Sequence, residues 1–101
     1  MKSVTKTYTK LNSTGVSNVL TAAQIGGLHS MSVTGTKNEY DRVVSTYTNA
    51  TAFVSFTEYF YLGFGSGAGD LRYDHLSNTI KTNAGNDNIT FTGTVTFYYF
   101  E

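Results

Sequence analysis

From Ile89 to Glu101 the chain alternates almost without interruption between two kinds of residue. Ile89, Phe91, Gly93, Val95, Phe97 and Tyr99 occupy the odd positions. Thr90, Thr92, Thr94, Thr96, Tyr98 and Phe100 occupy the even ones. A period of two belongs to a β-strand, whose successive side chains point to opposite faces. The pattern predicts a long strand, central to the domain, with an apolar core face and a threonine outer face. Gly93 interrupts the apolar face, which predicts a bulge there or the close approach of another backbone. Tyr98 and Phe100 replace threonine at the end of the outer face, so that end is expected to be covered.

The same periodicity predicts strands over residues 3–11, 16–20, 28–34, 40–48, 52–64, 71–75 and 79–82. There is no proline, so glycine and asparagine provide the turns. Asn12-Ser13-Thr14-Gly15 separates the first two strands. Gly35 with Lys37-Asn38 closes the third, and Asn49 closes the fourth. Gly63, Gly65, Gly67 and Gly69 mark a loop. Asn83 to Asn88 marks the strongest turn, across which the last two strands are expected to form a hairpin. Thr21-Ala22-Ala23-Gln24 is a capping-box pattern, and Gly26-Gly27 limits it to a short helical turn. Seven or eight short strands with little helix predict an all-β fold. The expected form is a compact antiparallel β-sandwich or jelly-roll-like barrel, one domain spanning residues 1–101.

Composition adds what the pattern omits. Eight Tyr and seven Phe supply an aromatic core. Thr alone fills 17 positions, while charged residues are only 14% of the chain and the formal net charge is zero. A neutral, charge-poor surface has no electrostatic reach toward nucleic acid or an anionic membrane. It also offers little self-repulsion, so association with copies of itself is expected. The absence of Cys excludes disulfides and thiolate chemistry. The chain has no apolar run long enough for a transmembrane helix, and its N-terminal segment lacks the apolar stretch of a signal peptide.

The segment 52–64 carries aromatics on both faces. Phe53, Tyr59 and Tyr61, with Tyr98 and Phe100 of the terminal strand, are the candidate contact residues between subunits. A sugar-binding alternative uses Tyr59 and Tyr61, or Tyr47, as stacking platforms, with Asp70, Asn86 and Asp87 holding hydroxyls. A second alternative is ice binding by Thr rows at 5/7/9, 34/36, 46/48 and 90/92/94/96, which needs the rows in register on neighbouring strands.

No constellation carries stronger chemistry. Glu58, between Phe56 and Phe60, has the setting of a raised-pKa acid but no second carboxylate at a fixed spacing. His29 stands alone, and Asp74-His75 with Asp70 would converge on a metal only if the strand had ended before them. The Gly/Asp segments 65–71 and 84–89 lack the tandem spacing of a calcium β-roll. The glycine loop lacks the Lys-Ser/Thr of a phosphate cradle. No catalytic residue, cofactor or metal is assigned.

The expected function is therefore that of a non-enzymatic bacteriophage structural protein, a head-decoration, head-fibre or tail-associated component. It would act through self-association, with a trimer expected, and through contacts with other virion proteins. The expected location is the virion, or alternatively the extracellular space.

Overall fold

The computed structural model describes residues 1–54, 70–85 and 87–101, together with the backbone of 60–62. Within them the chain forms β1 (Lys2–Leu11), β2 (Val16–Ser17), α1 (Ala22–Gly26), β3 (Leu28–Glu39), β4 (Arg42–Phe53), β5 (Phe60–Leu62), β6 (Asp70–Asp74), β7 (Thr79–Asn83) and β8 (Ile89–Tyr99). Two antiparallel sheets result, ordered β1-β8-β3-β4 and β2-β7-β6-β5. The fold is all-β, as the periodicity requires.

The terminal strand β8 lies inside the larger sheet, between β1 and β3. Its odd positions Phe91, Val95, Phe97 and Tyr99 are buried, with Met31 and Val33 of β3 beside them. The second sheet meets this face with Leu71, Tyr73 and Ile80. The Tyr73 ring packs edge-on against Phe97 at 5.1 Å. Each such side chain contributes about 1.5–3 kcal/mol by leaving water.

Gly93 has a specific partner. Across the inner face of the larger sheet, the register aligns Tyr8, Gly93, Gly35 and Tyr47 in one row. A Cβ on Gly93 would overlap the carbonyl of Thr34, lie 2.6 Å from the Cα of Gly35 and lie 3.0 Å from the Phe91 ring. The two glycines therefore form a trough that the Phe91 ring fills, an aromatic covering of paired strand glycines.

Five expectations about the strands are corrected. Gly35 does not end its strand; β3 continues to Glu39 because Gly35 pairs with Gly93. Asn49 does not end β4 either. It takes a left-handed φ of 47° at a register shift opposite Thr34, a bulge that the strand survives. Strand β4 starts at Arg42, because Tyr40 and Asp41 form the two-residue turn that joins it to β3.

The predicted long strand 52–64 is divided: β4 ends at Phe53 in one sheet, and β5 belongs to the other. Residues 55–59 and 63–69, including the glycine loop, lie outside the described residues. Finally, β7 and β8 do not form a hairpin. Both edges of β7 are taken by β2 and β6, and both edges of β8 by β1 and β3, so the 83–88 turn carries the chain between sheets.

Of the segment 16–20, Val16 and Ser17 pair as a strand with Ile80 and Thr79 of β7. Val19 and Leu20 then turn into the core, held by Asn78 at a left-handed φ of 54°. Asn78 Oδ1 accepts from the Leu20 N–H at 3.0 Å and the Tyr73 hydroxyl at 2.8 Å, and its Nδ2 donates to the Leu20 carbonyl at 2.8 Å. The capping box of α1 is formed in both directions between Thr21 and Gln24.

Candidate functional site

The outer face of the larger sheet is where polar pattern, register and composition coincide. Strand pairing aligns Thr5 with Thr96, Thr96 with Ser32, and Ser32 with Thr51. The next row aligns Thr7, Thr94 and Thr34, and the one beyond aligns Thr92, Thr36 and Thr46. Adjacent strands are about 4.7–4.9 Å apart, and successive residues on one face about 6.6–6.8 Å. The hydroxyls interact across the strands. Thr5 and Thr96 are hydrogen-bonded at 2.9 Å. The Thr34 Oγ1 accepts from the Asn49 N–H at 3.0 Å and donates to the Asn49 Oδ1 at 3.3 Å.

This face carries no charge along Ser3–Thr7 of β1, Thr92–Tyr98 of β8, Ser30–Thr36 of β3 and Thr46–Phe53 of β4. Three lysines of these strands take the opposite positions. Lys6 pairs with Val95 and Lys37 with Phe91, both on the core side, and Lys2 with Tyr99. A solvent-facing sheet surface commonly mixes both signs of charge at about a quarter to a third of its positions. Here those lysines take the inner face, and Lys10, at the β1 bulge beside Thr92, marks the far end of the outer one.

The rows end in an aromatic cluster. Ser30 lies between Tyr98 and Phe53 in the sheet and is itself buried. His29, at the register shift between β3 and β8, sets its ring edge-on to Phe53 at 5.7 Å and to Phe100 at 5.5 Å. Phe53 is 69% exposed and Phe100 56%. The Phe100 N–H donates to the Gly27 carbonyl at 2.7 Å, which fixes the chain end beside α1. Any side chain on Gly27 would overlap the Phe100 carbonyl.

Of the five candidate contact residues, Phe53, Tyr98 and Phe100 come together at this end. Tyr59 and the Tyr61 side chain lie outside the described residues, as do Glu58 and Asn86. The candidate sugar set is not assembled among the described residues, and Tyr47 is buried in the core beside Phe91, where no sugar could stack on it. Asp70 begins β6, and its carboxylate lies near enough to Tyr47 to help raise that phenol's pKa, after burial, the larger cause. Asp87 lies beyond β7, where it accepts from the Ser13 hydroxyl at 2.5 Å. Asp74 accepts from the Leu76 N–H at 2.9 Å. Among the described residues no three His, Asp or Glu side chains converge as a metal site.

His29 was absent from the expected contact set, and its part in the cluster follows from a bulge that strand periodicity does not reveal. No protein-family model, curated protein or solved structure matches this chain.

Proposed function

We propose that this chain is a non-enzymatic assembly protein, a structural component of a virion such as a decoration, head-fibre or tail-associated protein. It acts through self-association and through contacts with neighbouring particle proteins. The observation that carries this proposal is the charge-free outer face ending in exposed Phe53 and Phe100. Exposed aromatics within a patch depleted of charge have the composition of an interface core. The virion setting draws on the neutral, threonine-rich composition. Sedimentation equilibrium tests self-association, and co-sedimentation with particles tests the setting.

One observation favours a second function, ice binding: threonine rows stand in register, two across three strands and a third, with Ser32 among its threonines, across four. A regular array of methyl and hydroxyl groups can order water into a lattice. Sheet twist of about 20–25° between neighbouring strands works against a flat match, which places this function second. Nanolitre osmometry separates the two. Thermal hysteresis that Thr94→Lys removes supports ice binding, and its absence in the wild-type protein rejects it.

A further inference from the structure

We infer that the end of the domain opposite the aromatic cluster holds a binding cleft for a single neutral sugar ring. Thr90 and Tyr98 lie eight residues apart on β8, about 27 Å along the strand. Around Thr90 the surface forms a cleft of about 220 Å³, lined also by Lys10, Asn38, Tyr40, Asp41, Asp87 and Asn88. This set was not anticipated from the sequence. It replaces the tyrosines of segment 52–64 with Tyr40 and retains only Asp87 of the expected sugar residues.

The chain builds this cleft from a strand bulge and two turns. Lys10 sits at the β1 bulge with a φ of 51°. Tyr40 and Asp41 connect β3 to β4, and Asp87 and Asn88 lead into β8. The two turns are tied together. The Tyr40 N–H donates to the Asn88 carbonyl at 2.8 Å, and Asn88 Nδ2 donates to the Tyr40 hydroxyl at 3.1 Å. Tyr40 is thereby held in place while 68% exposed.

The lining chemistry selects the ligand. Asp41 and Asp87 only accept hydrogen bonds, Lys10 only donates, and Thr90 and Asn38 do both. A polyhydroxylated ring both donates and accepts at every hydroxyl, so it satisfies this mixed set. An anion would face two carboxylates. The volume is below the ~300–1,000 Å³ of drug-sized sites, which limits the occupant to about one ring. The exposed face of Tyr40 provides a flat apolar surface for the C–H groups of that ring.

A second observation points the same way. Tyr40 has a φ of 55°, while Asp41 is not in the left-handed region. Positive φ at the first residue of a two-residue hairpin is the position of a II′ turn that favours glycine. A bulky aromatic there is a conformational outlier, and such outliers concentrate at ligand sites. Tyrosine is held against the preference of its own turn.

The test is a ¹H–¹⁵N NMR titration of the full chain with the methyl glycosides of glucose, galactose, mannose and N-acetylglucosamine. At least one is expected to give saturable shifts at the amides of Asn38, Tyr40, Asp41, Asn88 and Thr90, with Kd of about 1 mM. Tyr40→Gly is expected to raise the melting temperature and weaken binding by at least about tenfold. Tyr40→Phe keeps the ring and is expected to bind more tightly than Tyr40→Gly. The inference is overturned if no glycoside gives saturable shifts, if the shifts map elsewhere, or if Tyr40→Gly binds as well as the wild type. Oligomeric mass is measured separately, so failure here leaves the assembly proposal standing, and the reverse also holds.

Discussion

Replacing Asn78 by Ala removes the side chain that ties two loops to the core. Three hydrogen bonds disappear: those from the Leu20 N–H and the Tyr73 hydroxyl, and that to the Leu20 carbonyl. Each is worth about 0.5–1.5 kcal/mol net, and a buried group left unpaired costs roughly 1–3 kcal/mol. Tyr73 is fully buried, so its hydroxyl cannot turn to water. Alanine at a φ of 54° adds roughly 1–2 kcal/mol. The expected loss is about 3–5 kcal/mol, against a total stability of about 5–15 kcal/mol for a small domain.

Urea unfolding followed by tyrosine fluorescence measures this loss. With a slope of about 1–3 kcal/mol/M, the midpoint falls by at least about 1 M. Asn78→Gly removes the same hydrogen bonds but tolerates the left-handed backbone, so it recovers roughly 1 kcal/mol. A loss below about 1 kcal/mol for Asn78→Ala, with an unchanged slope, would refute the assignment of Asn78 as the tie.

Three further outcomes follow from the same packing. Gly93→Ala would drive a methyl into the β3 backbone at Thr34 and Gly35, and is expected to cost more than about 3 kcal/mol in chemical denaturation. Gly27→Ala displaces Phe100, so it is expected to change the chemical shifts of His29 and Phe53 as well as lower the melting temperature. Burial raises the Tyr8, Tyr47 and Tyr73 phenol pKa values, with Asp74 and then Tyr8 adding to the effect on Tyr73. A raised folded-state pKa gives stability that is complete below the ordinary value near 10 and is lost as pH rises above it. Absorbance at 295 nm should therefore show these tyrosines ionising only as the domain unfolds in alkali.

The strand content and the two faces of β8 were legible because alternation reports burial directly. Phe91, Val95 and Phe97 are core because the second sheet covers them. The α1 capping box was legible because it is local in sequence. Strand partners were not legible. Nothing local says that β8 pairs with β1 and β3 while β7 pairs with β2 and β6, because sheet membership depends on contacts distant in sequence. Gly35 and Asn49 looked like strand ends because glycine and left-handed asparagine mark turns and bulges alike. The threonines of the outer face were visible one strand at a time. Their register across neighbouring strands depends on pairing, as does the meeting of Phe53 with Phe100 through His29.

The central claim is that the charge-free face and its aromatic end bring copies of the chain together. Sedimentation equilibrium across a wide concentration range tests it most directly, with Phe53→Ser and Phe100→Ser run beside the wild type. The account predicts a wild-type mass of three times the 11.0 kDa of one chain, and weaker association in both variants with the fold retained. A wild-type protein that stays at 11.0 kDa at every concentration contradicts it. So does an oligomer that both substitutions leave intact.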